Sequence, residues 1–174
     1  MGCVHVYTGD GKGKTSAAVG LGVRALGHGL RVCFIQLLKP PDDPSGEIEP
    51  LRKLGAEVFR FQGQRPTFTL RSEKERAELV ASSALAFARI RQVVSSHRHD
   101  VVIVDELCPA IAEGLIPEEA ALDLLKMRPP DMEFVITGRD APASLTEAAD
   151  LVTRMECVRH PYDSGDTDRP GIDR

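Results

Sequence analysis

The clearest signal in this chain is Thr8-Gly9-Asp10-Gly11-Lys12-Gly13-Lys14-Thr15-Ser16, a stretch near its beginning. A short apolar run precedes it, and an alanine-rich run with helical character follows it. Glycines let successive backbone N–H groups point at one anion, and the start of the following helix adds the positive end of its dipole. A glycine-rich loop between a strand and a helix is typical of a P-loop, which binds the phosphates of a nucleotide.

Two side chains of this loop have specific expected roles. Lys14 is expected to neutralise phosphate charge, and the hydroxyl of Thr15 is expected to bind the Mg²⁺ that accompanies ATP. The loop departs from the usual pattern G-x-x-x-x-G-K-[ST], because Thr8 stands where the first glycine is expected. We expect the glycines that follow, Gly9 and Gly11, to make the turn instead.

A second candidate part of a nucleotide site is Val101-Val102-Ile103-Val104-Asp105-Glu106. Four apolar residues followed by two acids predict a buried strand that presents carboxylates at its carboxyl end, where ligands bind in open α/β sheets. Asp105 or Glu106 is expected to hold Mg²⁺ directly or through water. Taken alone, the pattern would favour a strand that ends in solvated acids. Together with the P-loop, it predicts a site for Mg-ATP.

The rest of the chain alternates between apolar runs and helical patterns. The apolar runs predict strands at residues 3–7, 31–36, 57–61, 101–104, 133–137 and 151–157. The helical patterns cover residues 15–26, 46–54, 72–97, 117–127 and 142–149. This alternation predicts an α/β fold with a mostly parallel central sheet and helices on both faces. We expect a single domain over residues 1–174, of which residues 159–174 form a polar tail.

Composition limits the classes of partner and compartment. Of the 174 residues, 42% are hydrophobic and 28% are charged, which is ordinary globular composition. The formal net charge of −4 argues against nucleic acid as a partner. We expect no membrane span, because no apolar run approaches the roughly 20 residues that one needs. No signal peptide is visible at the start, so we expect a cytoplasmic protein.

Cysteines and histidines give no metal motif along the sequence. The four cysteines are scattered and form no C-x-x-C pair: Cys3, Cys33, Cys108 and Cys157. We interpret them as small buried apolar side chains in a reducing compartment, rather than as disulfides or metal ligands. His97 and His99 lie at the end of a predicted helix with no matching carboxylate or thiol nearby, so we expect no metal site there.

Several segments together resemble the P-loop type of ATP:corrinoid adenosyltransferase, the cob(I)alamin adenosyltransferase family. They follow the family's order over nearly the whole chain: residues 8–15, Arg24-Ala25-Leu26-Gly27-His28-Gly29, Phe68-Thr69, Val104-Asp105-Glu106-Leu107, Ile136-Thr137-Gly138-Arg139, Ala149-Asp150-Leu151-Val152, His160-Pro161-Tyr162-Asp163 with Gly165, and Gly171-Ile172-Asp173. The resemblance implies a RecA-like fold, a homodimer, and a flavoprotein as reductant. It also implies that ATP lies reversed in the P-loop, and that its 5′-deoxyadenosyl group passes to Co(I) of a cobalamin- or cobinamide-type corrinoid while triphosphate leaves whole.

The resemblance also implies roles for particular residues. The predicted ATP-binding residues are Thr8, Gly9, Asp10, Gly11, Lys12, Gly13, Lys14, Thr15, Ser16, Arg24 and Arg139. The predicted metal ligands are Thr15, Asp105 and Glu106. Three cations have an alternative interpretation: Arg24 could pair with an acid on a neighbouring element, Arg139 could cap a helix or form a surface ion pair, and Lys12 could be a solvated charge.

The resemblance implies that apolar residues displace the lower axial ligand of the corrinoid, which makes Co(I) reachable from Co(II). Phe68 matches one such aromatic and, with Lys14, is expected to act in catalysis. Leu70 stands where the family commonly has Trp, so this half of the corrinoid site is smaller here. Phe68 could instead anchor its own loop to the core. The sequence does not include the extension that often precedes the first strand in the family, so we expect either a more open site or a truncated start.

Two other classes of function remain open on the sequence. The first is a RecA-like ATPase or small-molecule kinase, in which Glu106 activates water or a hydroxyl. The second is a binding protein that carries corrinoid or is switched by a nucleotide. The products distinguish the three hypotheses: triphosphate for the adenosyltransferase, ADP for the ATPase or kinase, and no product for the binding protein.

Overall fold

Six strands form one sheet in the computed structural model, which describes residues 1–40, 45–63, 72–160, 169 and 171–172. The strands are Val4–Thr8 (β1), Val32–Lys39 (β2), Glu57–Gln62 (β3), Val101–Asp105 (β4), Glu133–Thr137 (β5) and Leu151–Arg154 (β6). Their order across the sheet is β3-β2-β4-β5-β1-β6, and every pair of neighbours is parallel. The carboxyl ends of all six strands therefore meet at one edge of the sheet.

Six helices cover the two faces of this sheet within the described residues. They are Lys14–Gly27 (α1), Ile48–Lys53 (α2), Glu73–Ser95 (α3), Leu107–Ala112 (α4), Glu118–Met127 (α5) and Ala143–Ala148 (α6). Helices α1 and α2 pack on one face, and α3 to α6 pack on the other. The predicted α/β fold is confirmed, and the sheet is wholly rather than mostly parallel. None of the helices in the described ranges is both long enough and apolar enough to cross a bilayer.

Central strands are apolar on both faces because helices cover both faces. Phe34 of β2 belongs to the core under α1 and α2, whereas its neighbour Ile35 belongs to the core under α3. Ile103 and Val104 of β4 divide in the same way. Continuous apolar runs, rather than alternating ones, are what strands buried on both faces require. This is why the sequence located the strands well.

Helix α3 begins where its capping residues predicted. The side-chain oxygen of Ser72 accepts a hydrogen bond from the Glu75 backbone N–H at 3.3 Å, and the Glu75 carboxylate accepts one from the Ser72 N–H at 2.9 Å. This reciprocal pair satisfies two backbone donors that the first turn leaves without helical partners. The predicted capping box is therefore confirmed.

Several element boundaries differ from the sequence prediction. Strand β2 continues to Lys39 instead of ending at residue 36, across an irregularity in its pairing with β3. Strand β6 ends at Arg154 instead of residue 157, because the next residue turns onto the P-loop. Helix α2 is shorter than predicted, and α4 was not predicted at all. Five of the six residues of α4 are buried, so its sequence has no polar face and no helical periodicity.

The cysteines differ partly from their predicted environment. All four are free thiols, as expected, and Cys33 and Cys108 are buried. Cys157 is exposed and Cys3 is only partly buried, because each lies at an end of the sheet where helices no longer cover the chain. The prediction of buried apolar cysteines is therefore correct for the two in the core and wrong for Cys157.

Candidate nucleotide-binding site

The P-loop, residues 8–16, lies at the carboxyl edge of the sheet between β1 and α1. Strand β5 separates β1 from β4, so the acids that end β4 lie two strands away from the P-loop strand. The hydroxyl of Thr15 nevertheless donates a hydrogen bond to Asp105 Oδ1 at 2.8 Å, across 90 positions of sequence. The structure therefore brings together the two predicted halves of the site.

Asp105 is the centre of a buried hydrogen-bond network. Its Oδ1 also accepts a hydrogen bond from the Thr137 hydroxyl at 2.6 Å, and its Oδ2 accepts one from Gln36 Nε2 at 3.3 Å. Asp105 has no solvent exposure, so these donors take the place of water around its carboxylate. The sequence predicted no role for Thr137 or Gln36, although Thr137 lies in a segment that resembles the family. The available signal was a polar residue within or at the end of an otherwise apolar buried strand.

Glu106 directly follows Asp105 at the same edge and has an unusual backbone conformation. Its φ is +63°, in the left-handed region that residues other than glycine rarely adopt. Its N–H donates to the Thr137 hydroxyl at 3.1 Å, which fixes this turn at the start of α4. The side chains of Thr137 and Asp105 and the backbone of Glu106 thus form one unit. Such strain is found where the surrounding structure holds a functional residue in place.

Close packing after β5 explains the glycine of the Gly138-Arg139 pair. A Cβ atom at Gly138 would lie 2.2 Å from Pro109 Cδ, and Gly138 has a φ of +138°. Glycine is therefore needed there for α4 to approach β5. Arg139, the next residue, is exposed at the carboxyl edge of the sheet, on the same side of the molecule as the P-loop. Its predicted contact with phosphate or ribose stays a prediction.

Lys14 lies inside the curve of the P-loop. Its ammonium donates hydrogen bonds to the carbonyl oxygens of Gly9 and Gly11, each at 2.6 Å. An ammonium is a mobile point charge on a flexible stem, so it can exchange carbonyl partners for phosphate oxygens. Thr8, at the position of the missing first glycine, is buried, and its hydroxyl accepts from the Ala141 N–H at 3.4 Å.

A segment that sequence analysis missed runs along the P-loop. Met155, just after β6, donates its N–H to the Thr8 carbonyl and accepts from the Gly11 N–H, both at 2.8 Å. A Cβ at Gly9 would lie 2.3 Å from the Met155 carbonyl oxygen, and a Cβ at Gly11 would lie 2.6 Å from the Glu156 backbone. Glycines at these positions are therefore required by protein packing. The Gly11 N–H is hydrogen-bonded to Met155. We expected successive N–H groups of the loop to face an anion, and this one does not.

The C-terminal tail also reaches the P-loop. The Lys12 ammonium donates a hydrogen bond to the carbonyl of Ile172. Lys12 is therefore more than a solvated charge, and the Gly171-Ile172 part of the tail lies beside the loop. The remaining predicted P-loop residues, Asp10, Gly13 and Ser16, lie in the same turn and the start of α1.

Arg24 lies away from the P-loop of its own chain, and its predicted ATP contact stays a prediction. It is ten residues beyond Lys14 on the same helix, a separation of about 15 Å at 1.5 Å per residue. The structure places it at the opposite edge of the sheet, in a cavity of about 420 Å³ also lined by Asp100, Asp131 and Glu133. The direction of α1 therefore separates Arg24 from the nucleotide site of its own chain. Phe68 and Leu70, the predicted corrinoid contacts, lie outside the described residues.

This chain is similar to known proteins over nearly its whole length. A family model described as "ATP:corrinoid adenosyltransferase BtuR/CobO/CobP" matches residues 1–173. Corrinoid adenosyltransferase CobA of Salmonella typhimurium is 34% identical over 172 residues, which are 99% of this chain and 85% of the relative. The corrinoid adenosyltransferase of Escherichia coli K12 is 33% identical with the same coverage, and that of Pseudomonas aeruginosa is 32% identical over 99% of this chain and 83% of the relative.

A solved structure shares the fold without close sequence similarity. The flagellar accessory protein FlaH from Methanocaldococcus jannaschii superposes on this chain with a TM-score of 0.60 and 10% sequence identity. The superposition covers 87% of this chain and 70% of FlaH. At that identity the likeness concerns the fold alone. The family model and the curated relatives, in contrast, cover nearly every residue. This chain belongs to the ATP:corrinoid adenosyltransferase family.

Proposed function

We propose that this protein transfers the 5′-deoxyadenosyl group of ATP to Co(I) of a cobalamin- or cobinamide-type corrinoid and releases triphosphate. The observation that carries the proposal is the 2.8 Å hydrogen bond from Thr15 to Asp105, which joins the P-loop to the acidic end of β4. Membership of the family indicates that the acceptor is a corrinoid and that the transferred group is adenosyl. The geometry supports a site for a polyphosphate with a divalent cation.

The reaction needs alignment more than proton transfer. The lone pair of Co(I) attacks C5′ of the ribose, the C5′–O bond breaks, and its electron pair leaves on the triphosphate, so cobalt becomes formally Co(III). No general base takes part. The protein must hold the two reactants in line and stabilise charge on the leaving oxygens. Lys14 and the amino end of α1 supply that positive charge at the P-loop.

The side chains at the carboxyl edge of the sheet fit the Mg²⁺ that accompanies ATP. Thr15 offers a hydroxyl, and Asp105 and Glu106 offer carboxylates, which are the hard oxygen ligands that Mg²⁺ prefers. Bound there, Mg²⁺ would neutralise charge on the triphosphate. The Asp105 carboxylate orients the Thr15 hydroxyl, and the Thr137 hydroxyl holds Asp105 and the Glu106 backbone in turn.

The corrinoid side of the proposal rests on the sequence and the family. Residues 64–71, which contain Phe68 and Leu70, follow β3, whose carboxyl end lies at the same edge of the sheet as the P-loop. We propose that Phe68, with Leu70 in place of the larger Trp, excludes the lower axial ligand of the corrinoid. A homodimer and a flavoprotein reductant are part of the same proposal. Arg139 is retained as a contact to ribose or phosphate.

A RecA-like ATPase or small-molecule kinase is the second candidate function. The observation that favours it is the position of Glu106, a second carboxylate held in a strained turn directly after Asp105. A carboxylate there can orient water or a hydroxyl for attack on a phosphate.

Product analysis tests these functions together. Protein, Mg-ATP and chemically reduced cobalamin are incubated without oxygen, and adenosylcobalamin, triphosphate, ADP and phosphate are measured. We expect adenosylcobalamin and triphosphate in equal amounts, and no ATP consumption when corrinoid is omitted. ADP formed without corrinoid would overturn the proposal in favour of the ATPase or kinase. ATP binding with no product would indicate a binding protein.

A further inference from the structure

A second cluster of reactive side chains lies at the opposite edge of the sheet from the P-loop. Cys33 is near the start of β2, Glu57 begins β3, and His99 precedes β4. Cys33 and Glu57 are register partners on neighbouring strands, which brings their side chains together across 24 positions of sequence. The prediction that His99 has no carboxylate or thiol nearby is therefore wrong, because strand pairing supplies both.

The three side chains have the spacing of a metal site. One ligand atom from each of Cys33, Glu57 and His99 lies within 4.8 Å of the other two, and His99 Nε2 is 2.8 Å from Glu57 Oε2. A tetrahedral ion with ligand bonds of about 2.0–2.3 Å separates its ligands by roughly 3.3–3.8 Å. The cluster therefore accommodates such an ion with side-chain shifts of less than about 1 Å.

Burial makes this cluster unlike a surface ion pair. Cys33 is fully buried, and the side chain of His99 is 9% exposed, whereas that of Glu57 is 45% exposed and opens the cluster to solvent. His99 Nδ1 is buried with no hydrogen-bond partner among the described residues. A buried imidazole normally satisfies both nitrogens, so this ring has one buried polar atom whose partner the described residues do not supply.

The thiol of Cys33 is buried between a carboxylate and a guanidinium. Burial and, to a lesser extent, the Glu57 carboxylate raise the pKa of Cys33 to about 12, against a smaller opposing effect of the Arg89 guanidinium. Arg89 lies over the ring of Phe59, 4.6 Å from its centroid, on the α3 side of the sheet. A metal ion binds a cysteine as the thiolate, so binding releases the thiol proton to solvent.

We propose that Cys33, Glu57 and His99 form a binding site for a thiophilic divalent cation, for which Zn²⁺ is the best fit. Thiolate and imidazole ligands select Zn²⁺ over Mg²⁺, which prefers oxygen ligands, so this site is chemically distinct from that at the P-loop. Three protein ligands leave a fourth position for water, on the exposed side of Glu57. The bound ion would tie together the starts of β2 and β3 and the chain that enters β4.

Cobalt substitution tests the site in the wild-type protein. Co²⁺ is titrated into metal-free protein, with Mg²⁺ in excess to saturate the oxygen ligands at the P-loop. We expect one equivalent to bind with a thiolate-to-Co(II) charge-transfer band in the near ultraviolet, and stoichiometric Zn²⁺ to abolish that band. Absence of a thiolate band would overturn the proposal and leave His99 and Glu57 as an ordinary ion pair.

Matched variants identify the ligands. Cys33→Ser and His99→Gln should each weaken Zn²⁺ binding by at least about tenfold, measured by competition with a chromophoric chelator. The controls are Cys157→Ser, at an exposed cysteine, and His97→Asn, at an exposed histidine two residues from His99, and both should bind as the wild type does. Zn²⁺ should also raise the Tm of the wild type and both controls but not of the ligand variants. A thiolate band that survives Cys33→Ser and disappears in Cys157→Ser would overturn the assignment.

Discussion

Thr137 provides the sharpest test of how the residues around Asp105 are held in place at the carboxyl edge of the sheet. We consider Thr137→Val, which keeps the shape of the side chain and removes its hydroxyl. The variant loses a 2.6 Å hydrogen bond to the buried Asp105 carboxylate and leaves the Glu106 N–H without its 3.1 Å acceptor. Thr15 and Gln36 still donate to Asp105, so its carboxylate keeps part of its solvation.

The expected magnitude follows from these two contacts. A hydrogen bond to a charged group contributes about 1.5–3 kcal/mol, and a neutral one about 1 kcal/mol. We therefore expect Thr137→Val to lower the free energy of unfolding by about 3 kcal/mol, which corresponds to a fall in Tm of roughly 6–12 °C for a chain of this length. If half of this loss also applies to the transition state, kcat/KM for adenosyl transfer falls by about tenfold.

Denaturant unfolding and adenosyl-transfer kinetics measure the two effects. Thr137→Ser keeps the hydroxyl and should retain most of the stability and activity. Thr153→Val is the matched control, because Thr153 is exposed on the edge strand β6, and it should change stability by less than about 0.5 kcal/mol. A loss below 0.5 kcal/mol in Thr137→Val, or equal losses in the valine and serine variants, would refute the role of the hydroxyl.

Three further predictions concern the P-loop and the opposite edge of the sheet. Lys14→Ala should lower kcat for the proposed adenosyl transfer by about 10²–10³-fold, because the variant lacks the positive charge that would stabilise the leaving oxygens. Circular dichroism should show no loss of folded protein, and activity within tenfold of wild type would contradict this role. Gly11→Ala should destabilise the protein by about 1–3 kcal/mol, because its Cβ would lie 2.6 Å from the Glu156 backbone. Gly20→Ala, in open space on α1, should instead stabilise the protein by up to about 1 kcal/mol. Thermal unfolding of both variants checks this contrast, and equal shifts in Tm would disprove it. The hydrogen bonds from Arg31 lower the pKa of Asp100 to about 2, below the ordinary carboxyl value near 4, so its stabilising contribution is present above about pH 4 and is lost as the pH falls toward 2. Asp100→Asn should reduce the slope of unfolding free energy against pH in that range, and an unchanged slope would argue against the ion pair.

Local patterns were sufficient to predict the central strands and the residues at their ends. Continuous apolar runs located β2, β4 and β5, and the acids after β4 were correctly placed beside the P-loop edge. The position of Arg24 was also within reach of the sequence, because counting 1.5 Å per residue along α1 carries it about 15 Å from the loop. The family resemblance predicts an ATP contact for Arg24, and the helix geometry places that side chain away from the P-loop of the same chain.

Contacts that depend on strand register or on irregular chain could not be predicted. Cys33, Glu57 and His99 meet because β2 and β3 pair in one particular register, and no local pattern encodes that pairing. Helix α4 is buried on nearly all sides, so it lacks the periodicity by which helices are recognised. Met155 follows an exposed edge strand, and its turn onto the P-loop depends on two backbone hydrogen bonds that any residue could make.

The packing of Met155 changes what the glycines of the P-loop mean. Gly9 and Gly11 are required by the close approach of the chain after β6, whether or not a phosphate binds. A glycine-rich loop is therefore weaker evidence for a nucleotide than the motif alone suggests. Lys14 and the Thr15–Asp105 hydrogen bond are stronger evidence, because the packing of Met155 explains neither the partly buried ammonium inside the loop nor the hydroxyl that reaches a carboxylate two strands away. A protein that kept these glycines solely for packing would have no reason to place both groups there.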